Sequence, residues 1–175
     1  EAQAFDEGTT EITSDQATIE GGKMYAVSGQ TSSKNLIAKQ GSVFYFCMTN
    51  NNTYFKVVLD NALAVGDVIT ADALGGVKND SPKGLYVTTT DGYPTAAPAC
   101  VGTSNEESIV TNLLNYTVEE GSEYVGATTL YIYRAAGATE YFNNFTITRS
   151  ASDEPGDEPG DEPGDEPGDE PGDEP

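Results

Sequence analysis

This 175-residue chain contains no histidine, and the groups weighed for chemistry are its carboxylates, phenols, amides and two thiols. That absence removes the side chain that most often shuttles protons near neutral pH and most often ligates transition metals. Ser-His-Asp and Cys-His relays are therefore excluded within the chain. Paired carboxylates remain, Glu106-Glu107 and Glu119-Glu120 among them, and a glycosidase needs two such groups facing each other across a cleft. Both pairs fall in stretches that read as solvated loops, so the chain is read as non-catalytic. Asp60, Asp67, Asp72, Asp80 and Asp91 lie near the ends of candidate strands, where oxygen-rich loops can hold a structural calcium. None has EF-hand spacing, and turn formation accounts for aspartate at such places as well. No cofactor is assigned; calcium is the candidate that such oxygen-rich loops suit, and the ligands of any metal stay open.

Cys47 and Cys100 have no neighbour at metal-ligand spacing. In an oxidising compartment they are a disulfide candidate, closing a loop whose ends are 53 positions apart and contributing ~4 kcal/mol by the chain-entropy argument. Two separate buried thiols are the alternative. Phenols are abundant, with ten tyrosines and no tryptophan. In Thr129-Leu130-Tyr131-Ile132-Tyr133-Arg134 the aliphatic side chains fall on one face of a strand and the phenols on the other. Tyr131, Tyr133 and Arg134 are thus sugar-stacking candidates, with cross-strand packing or a subunit contact as the alternative. Asn-X-Ser/Thr triplets begin at Asn51, Asn79, Asn115 and Asn144. Pro82 directly follows the second, which leaves Asn51, Asn115 and Asn144 as the glycosylation candidates.

The elements that must carry these groups read as strands. Thr10–Thr13, Ala17–Glu20, Met24–Val27, Leu36–Ala38, Val43–Met48, Tyr54–Leu59, Val68–Thr70, Leu85–Thr88, Tyr116–Val118, Thr129–Arg134 and Phe145–Thr148 are rich in β-branched and aromatic residues or alternate apolar with polar. Asn50-Asn51-Asn52 separates two of them and reads as the turn of a hairpin. Ser104–Leu114 is the one segment long enough for a useful helix. This pattern predicts an all-β fold, a two-sheet jelly-roll-like β-sandwich, rather than an α/β architecture. The sandwich is assigned to residues 14–150. Residues 1–13 form an extended arm: up to Gly8, Phe5 is the only large apolar side chain, too little to build a core.

From residue 151 the composition changes abruptly. Asp-Glu-Pro-Gly occurs five times from Asp153 to Gly172 and ends in a partial copy, Asp173-Glu174-Pro175. Proline at every fourth position forbids a continuous helix, and nothing in the repeat can form an apolar core, so residues 151–175 read as a non-globular acidic tail. At ~3.1 Å per residue the repeats from Asp153 to Pro175 reach at most about 70 Å. Of the formal charge of −21, this tail carries 12 of the 29 acidic residues and none of the eight basic ones; the body holds 17 acids against eight bases, a balance of −9. Phosphate backbones and anionic membrane surfaces are repelled by such a chain, so nucleic acid is excluded as a partner and cations, basic surfaces or neutral sugars are favoured. No apolar run approaches the ~18 residues of a membrane-spanning segment. The start at Glu1 fits a processed precursor and equally a fragment; the chain is read as extracellular or cell-surface, and the break within a repeat points to a chain that continues past Pro175.

Two stretches carry a resemblance. Leu59-Asp60-Asn61-Ala62-Leu63-Ala64-Val65-Gly66-Asp67-Val68-Ile69 lies in the first, and Leu130-Tyr131-Ile132-Tyr133-Arg134 with Tyr141-Phe142-Asn143-Asn144-Phe145-Thr146-Ile147 forms the second. Together they resemble the jelly-roll modules of secreted and surface bacterial proteins that are similar to carbohydrate-binding modules. The resemblance implies a sandwich appended by an acidic linker to an enzyme or surface protein, with glycans as partners. The layout of arm, sandwich and repeat tail also resembles the subunit of an extracellular, glycosylated bacterial filament. That resemblance implies copies of the chain as partners, joined by strand donation through the arm or the tail, with Phe5 and Ile12 as the arm's subunit contacts.

Overall fold

A computed structural model of the chain describes residues 3–4, 8–11, 19–28 and 36–150. The described residues hold thirteen strands and no helix. They are β1 (Gln3–Ala4), β2 (Gly8–Glu11), β3 (Gly22–Ser28), β4 (Leu36–Gln40), β5 (Val43–Met48), β6 (Thr53–Leu59), β7 (Val68–Leu74), β8 (Val77–Lys78), β9 (Ser81–Thr88), β10 (Cys100–Ser104), β11 (Ile109–Thr117), β12 (Thr129–Arg134) and β13 (Glu140–Thr148). The subunit-contact candidates Phe5 and Ile12, the repeat tail, and Ala17 and Thr18 lie outside the described residues.

Two antiparallel sheets face each other, ordered β1-β4-β5-β13-β7-β11 and β10-β9-β12-β6-β3-β2, with β8 pairing the edge of β9. The quartets β5-β13-β7-β11 and β6-β12-β9-β10 are the interleaved strand orders of a jelly roll, in which the chain crosses repeatedly between sheets. The extra strands β4 and β3 widen the two sheets on one side, and β1 and β2 finish those edges.

Alternation decides what enters the core. On β6, Thr53, Phe55, Val57 and Leu59 point inward and Tyr54, Lys56 and Val58 outward; on β7, Ile69, Ala71 and Ala73 point inward. Across the interior Phe46 of β5, Phe142 of β13 and Phe55 of β6 form an aromatic triad with ring centroids 5.0 to 5.3 Å apart. Burying each ring contributes about 1.5–3 kcal/mol.

Two expectations about elements are corrected. β5 and β6 are not a hairpin: they lie in opposite sheets, and the turn between them carries the chain across the sandwich. Their apolar faces meet front to front, which buries both more fully than edge pairing would. Thr53 stabilises this corner, its Oγ1 accepting from the Thr49 and Asn50 N–H groups at 3.0 and 3.1 Å. The stretch expected to be helical ends instead in β11, where pairing with its neighbour β7 outweighs helix preference. Local signals hide this because β11 bulges between Val110 and Leu114, which breaks the alternation. Close approach of β10 to its neighbours also depends on glycine: a Cβ on Gly102 would lie 2.3 Å from the Leu113 carbonyl oxygen.

Candidate functional site: a tyrosine face on the seven-stranded sheet

The outer side of the seven-stranded sheet carries a cluster of tyrosines. Register places Val27 beside Tyr54, and Tyr25 beside Lys56, which in turn faces Tyr131. On the next strand Tyr131 faces Thr88 and Tyr133 faces Tyr86. Tyr25, Tyr54, Tyr86 and Tyr131 are half-buried, so each keeps an open side toward solvent.

Tyr133 differs. It points outward by alternation, yet only 1% of it is exposed. Tyr54 stacks on it at 4.6 Å with 26° between rings, and Tyr93 from the loop after β9 packs edge-on at 5.6 Å. Its hydroxyl accepts the Gly92 N–H at 2.6 Å. Tyr93 donates its own hydroxyl to the Arg134 carbonyl at 3.0 Å, so the loop is tied down at two points. Burial, opposed by the Gly92 bond, pushes the Tyr133 phenol up to about 12. With its faces covered, Tyr133 offers no stacking platform. Arg134 is committed too: Nε donates to Asn51 Oδ1 at 3.0 Å and a guanidinium N–H to the Thr49 carbonyl at 3.1 Å, pinning the crossover turn. Of the three sequence-derived stacking residues, only Tyr131 is left with an open side and without such a commitment.

Asp91 enters this site without having been foreseen there. Tyr54 donates its hydroxyl to Asp91 Oδ1 at 2.5 Å, and the exposed carboxylate also lies in the electrostatic reach of Tyr131 and Tyr133. Tyr54 and Tyr131 meet at 6.2 Å with 55° between their rings, forming an open corner beside this carboxylate. Sequence reasoning missed Asp91 because its loop folds over β12 from 41 positions earlier, and Tyr54 because it reaches β12 only through the pairing of β6 with β12. Asp91 was legible as an aspartate near a strand end, but not where it lands.

The other outer face is chemically different. On β7, Asp72 accepts the Asn112 N–H and an Asn144 amide N–H, both at 2.8 Å. These asparagines sit in the bulges of β11 and β13 with φ of 52° and 51°, a left-handed backbone that asparagine tolerates better than most residues. One carboxylate therefore holds two irregular strands in place. All three glycosylation candidates are exposed: Asn51 in the crossover turn, Asn115 on β11 and Asn144 on β13. Asn144 shares its amide with Asp72, and Asn51 its carbonyl with Arg134.

Cys47 and Cys100 are both free and buried, which corrects the disulfide candidate. They lie on β5 and β10, in opposite sheets. Cys100 joins the apolar core, whereas Cys47 alternates with the core residues Phe46 and Met48 and so faces away from the interior. Burial raises both thiols, Cys47 to about 11.

Two further carboxylates are buried. Asp67, fully inaccessible, accepts from the N–H groups of Ala64 and Ser150 at 2.8 Å and pairs with Arg149 at 2.9 Å. Arg149 also donates to the Ala62 and Asn61 carbonyls, so this knot fixes the chain just where the tail begins. Glu140, 1% exposed, has an Oε1 without a hydrogen-bond partner. Burial pushes it up to about 9, opposed by backbone hydrogen bonds at Leu74 and Tyr141 and by Lys83. Among the described residues no three carboxylates or thiols converge as a metal site, and no helix is long and apolar enough to cross a membrane. No family model matches the chain, and no curated protein matches it in sequence.

Proposed function

We propose that the chain is a non-catalytic structural subunit of an extracellular fibre on the cell surface, in which copies are joined by exchange of N-terminal strands. One observation carries this reading. The strands β1 and β2 edge the two sheets on the same side: Gln3 and Ala4 pair with Ile37 and Leu36 of β4, and Gly8–Glu11 pair with Ser28–Tyr25 of β3. A segment bound mainly through main-chain ladders can be supplied by another copy with the same contacts, because the acceptor edge is indifferent to which chain fills it. An edge left open would also be an association hazard, so filling it between copies gives both stability and continuity. The acidic tail then acts as a charged spacer that leaves at the Asp67–Arg149 knot, and glycans on the asparagine-bearing face would keep that side solvated.

Electron microscopy of the protein lacking residues 1–13 tests the proposal. Loss of filaments with a folded body is the expected result. Filaments unchanged by the deletion would sink the donor strand, and an intact chain that stays monomeric at high concentration, with and without calcium, would sink the fibre.

A second reading is favoured by the tyrosine face: a carbohydrate-binding module whose sugar stacks on Tyr131, flanked by Tyr54 and Tyr86. It predicts saturable polysaccharide binding that falls when Tyr131 becomes alanine. Silence across a broad glycan panel would remove it.

A further inference from the structure

The geometry points to a second kind of site on the tyrosine face, independent of the fibre reading: the corner between Tyr54, Tyr131 and Asp91 binds quaternary alkylammonium groups. A weakly hydrated cation is held by the negative faces of aromatic rings, and the attraction grows when a carboxylate stands beside them. Both parts are present. The rings of Tyr54 and Tyr131 open at 55° with centroids 6.2 Å apart, so one small cation can touch both faces. Tyr54 gives its hydroxyl hydrogen to Asp91, a charge-assisted bond that moves electron density toward the phenol and makes its ring a better partner for positive charge.

The surroundings keep this corner in shape. Tyr54 is backed by Tyr133 at 4.6 Å, and Tyr133 is locked by the Gly92 N–H and the edge of Tyr93. The Asp91 loop is therefore anchored before any ligand arrives, which lowers the ordering cost of binding. A quaternary group suits the site better than a primary ammonium. The latter needs several acceptors to replace its hydration, and the corner supplies one carboxylate. The formal charge of −21 adds a long-range pull on cations of either kind. Lys56 opposes it locally, since it faces Tyr131 across the strand pair.

Choline and its uncharged isostere 3,3-dimethyl-1-butanol separate this site from a merely greasy or sugar-binding face. In titrations of the isotope-labelled full chain, choline should shift the amide signals of Tyr54, Asp91, Gly92 and Tyr131 saturably, leaving those of Asp72 and Asn144 on the opposite face unmoved. The isostere should bind roughly tenfold more weakly or not at all. Asp91→Asn and Tyr131→Ala should each weaken choline by roughly three- to tenfold, and Lys56→Gln, which removes a like charge, should tighten it. Unchanged Asp72 and Asn144 signals report that each variant is folded. No saturable shift, an equal response to the isostere, or an affinity indifferent to both Asp91→Asn and Tyr131→Ala would overturn the assignment. Filament formation is not part of the readout, so this result and the fibre test fail separately.

Discussion

Glu140 and Asp67 are buried to the same degree and titrate in opposite directions. For Glu140 desolvation is the largest influence, and its carboxyl is held up to about 9. The folded state keeps a proton that the unfolded chain releases near the ordinary glutamate value, so this group's stabilising contribution is full at acidic pH and is lost as pH rises toward 9. Glu140→Gln keeps a neutral group of the same shape, so it should stabilise the protein by a few kcal/mol at pH 8 and have little effect at pH 4; thermal melts at the two pH values check this. For Asp67, burial alone would raise the carboxyl, but the Ala64 and Ser150 N–H groups and the Arg149 guanidinium outweigh it and hold it below the usual aspartate range. Its contribution is present at neutral pH and fades only as pH falls through that lowered value. Arg149 is 29% exposed, so the pair is partly screened. Asp67→Asn should cost about 2–4 kcal/mol in urea unfolding at pH 7, with a smaller loss at pH 3. Neither role was legible in the sequence: Glu140 is one acid among 29, and its burial is set by β5 and β7 pairing on either side of β13.

Among the elements, β12 was the most legible. Its alternation gave the inner Leu130 and Ile132 and the outer Tyr131 and Tyr133 correctly, because a strand between two partners has no freedom to rotate. What the period could not give was the loop that covers Tyr133, since that depends on residues distant in sequence. β11 failed for a local reason, its bulge, and the supposed hairpin of β5 and β6 failed because period 2 says which face is apolar but not which sheet the strand joins. The two thiols lie on elements that the fold separates. They should therefore resist Ellman's reagent in the native protein and both react in denaturant; reaction of fewer than two thiols after unfolding without reductant would bring the disulfide back. At Gly102 of β10, a methyl group would strike the β11 backbone. Gly102→Ala should lower stability by about 1–3 kcal/mol, read from the shift in urea midpoint.

For the whole molecule, the all-β two-sheet class and the acidic tail were evident from turn punctuation, strand composition and the repeat, while the jelly-roll strand order emerges only from pairing. That order leaves two unlike sides to each sheet and two unlike flanks. One outer face carries the cluster of Tyr54, Tyr131 and Tyr133, the other the contacts of Asp72 with Asn112 and Asn144, and the flank formed by β3 and β4 is finished by β1 and β2. Whether those residues come from the same copy or the next is the central question, and the register allows it to be asked covalently. Thr9 pairs directly with Val27, and opposed residues of an antiparallel ladder lie within the Cα separation a disulfide spans. Cys47 and Cys100 are buried, with thiols raised well above neutral pH, so they should not compete. The protein carrying Thr9→Cys and Val27→Cys, oxidised under assembly conditions and run on a denaturing gel without reductant, should give a ladder of covalent oligomers that collapses to one band on reduction. A single monomer band with its thiols consumed would mean that each arm closes its own sandwich, and would contradict strand exchange.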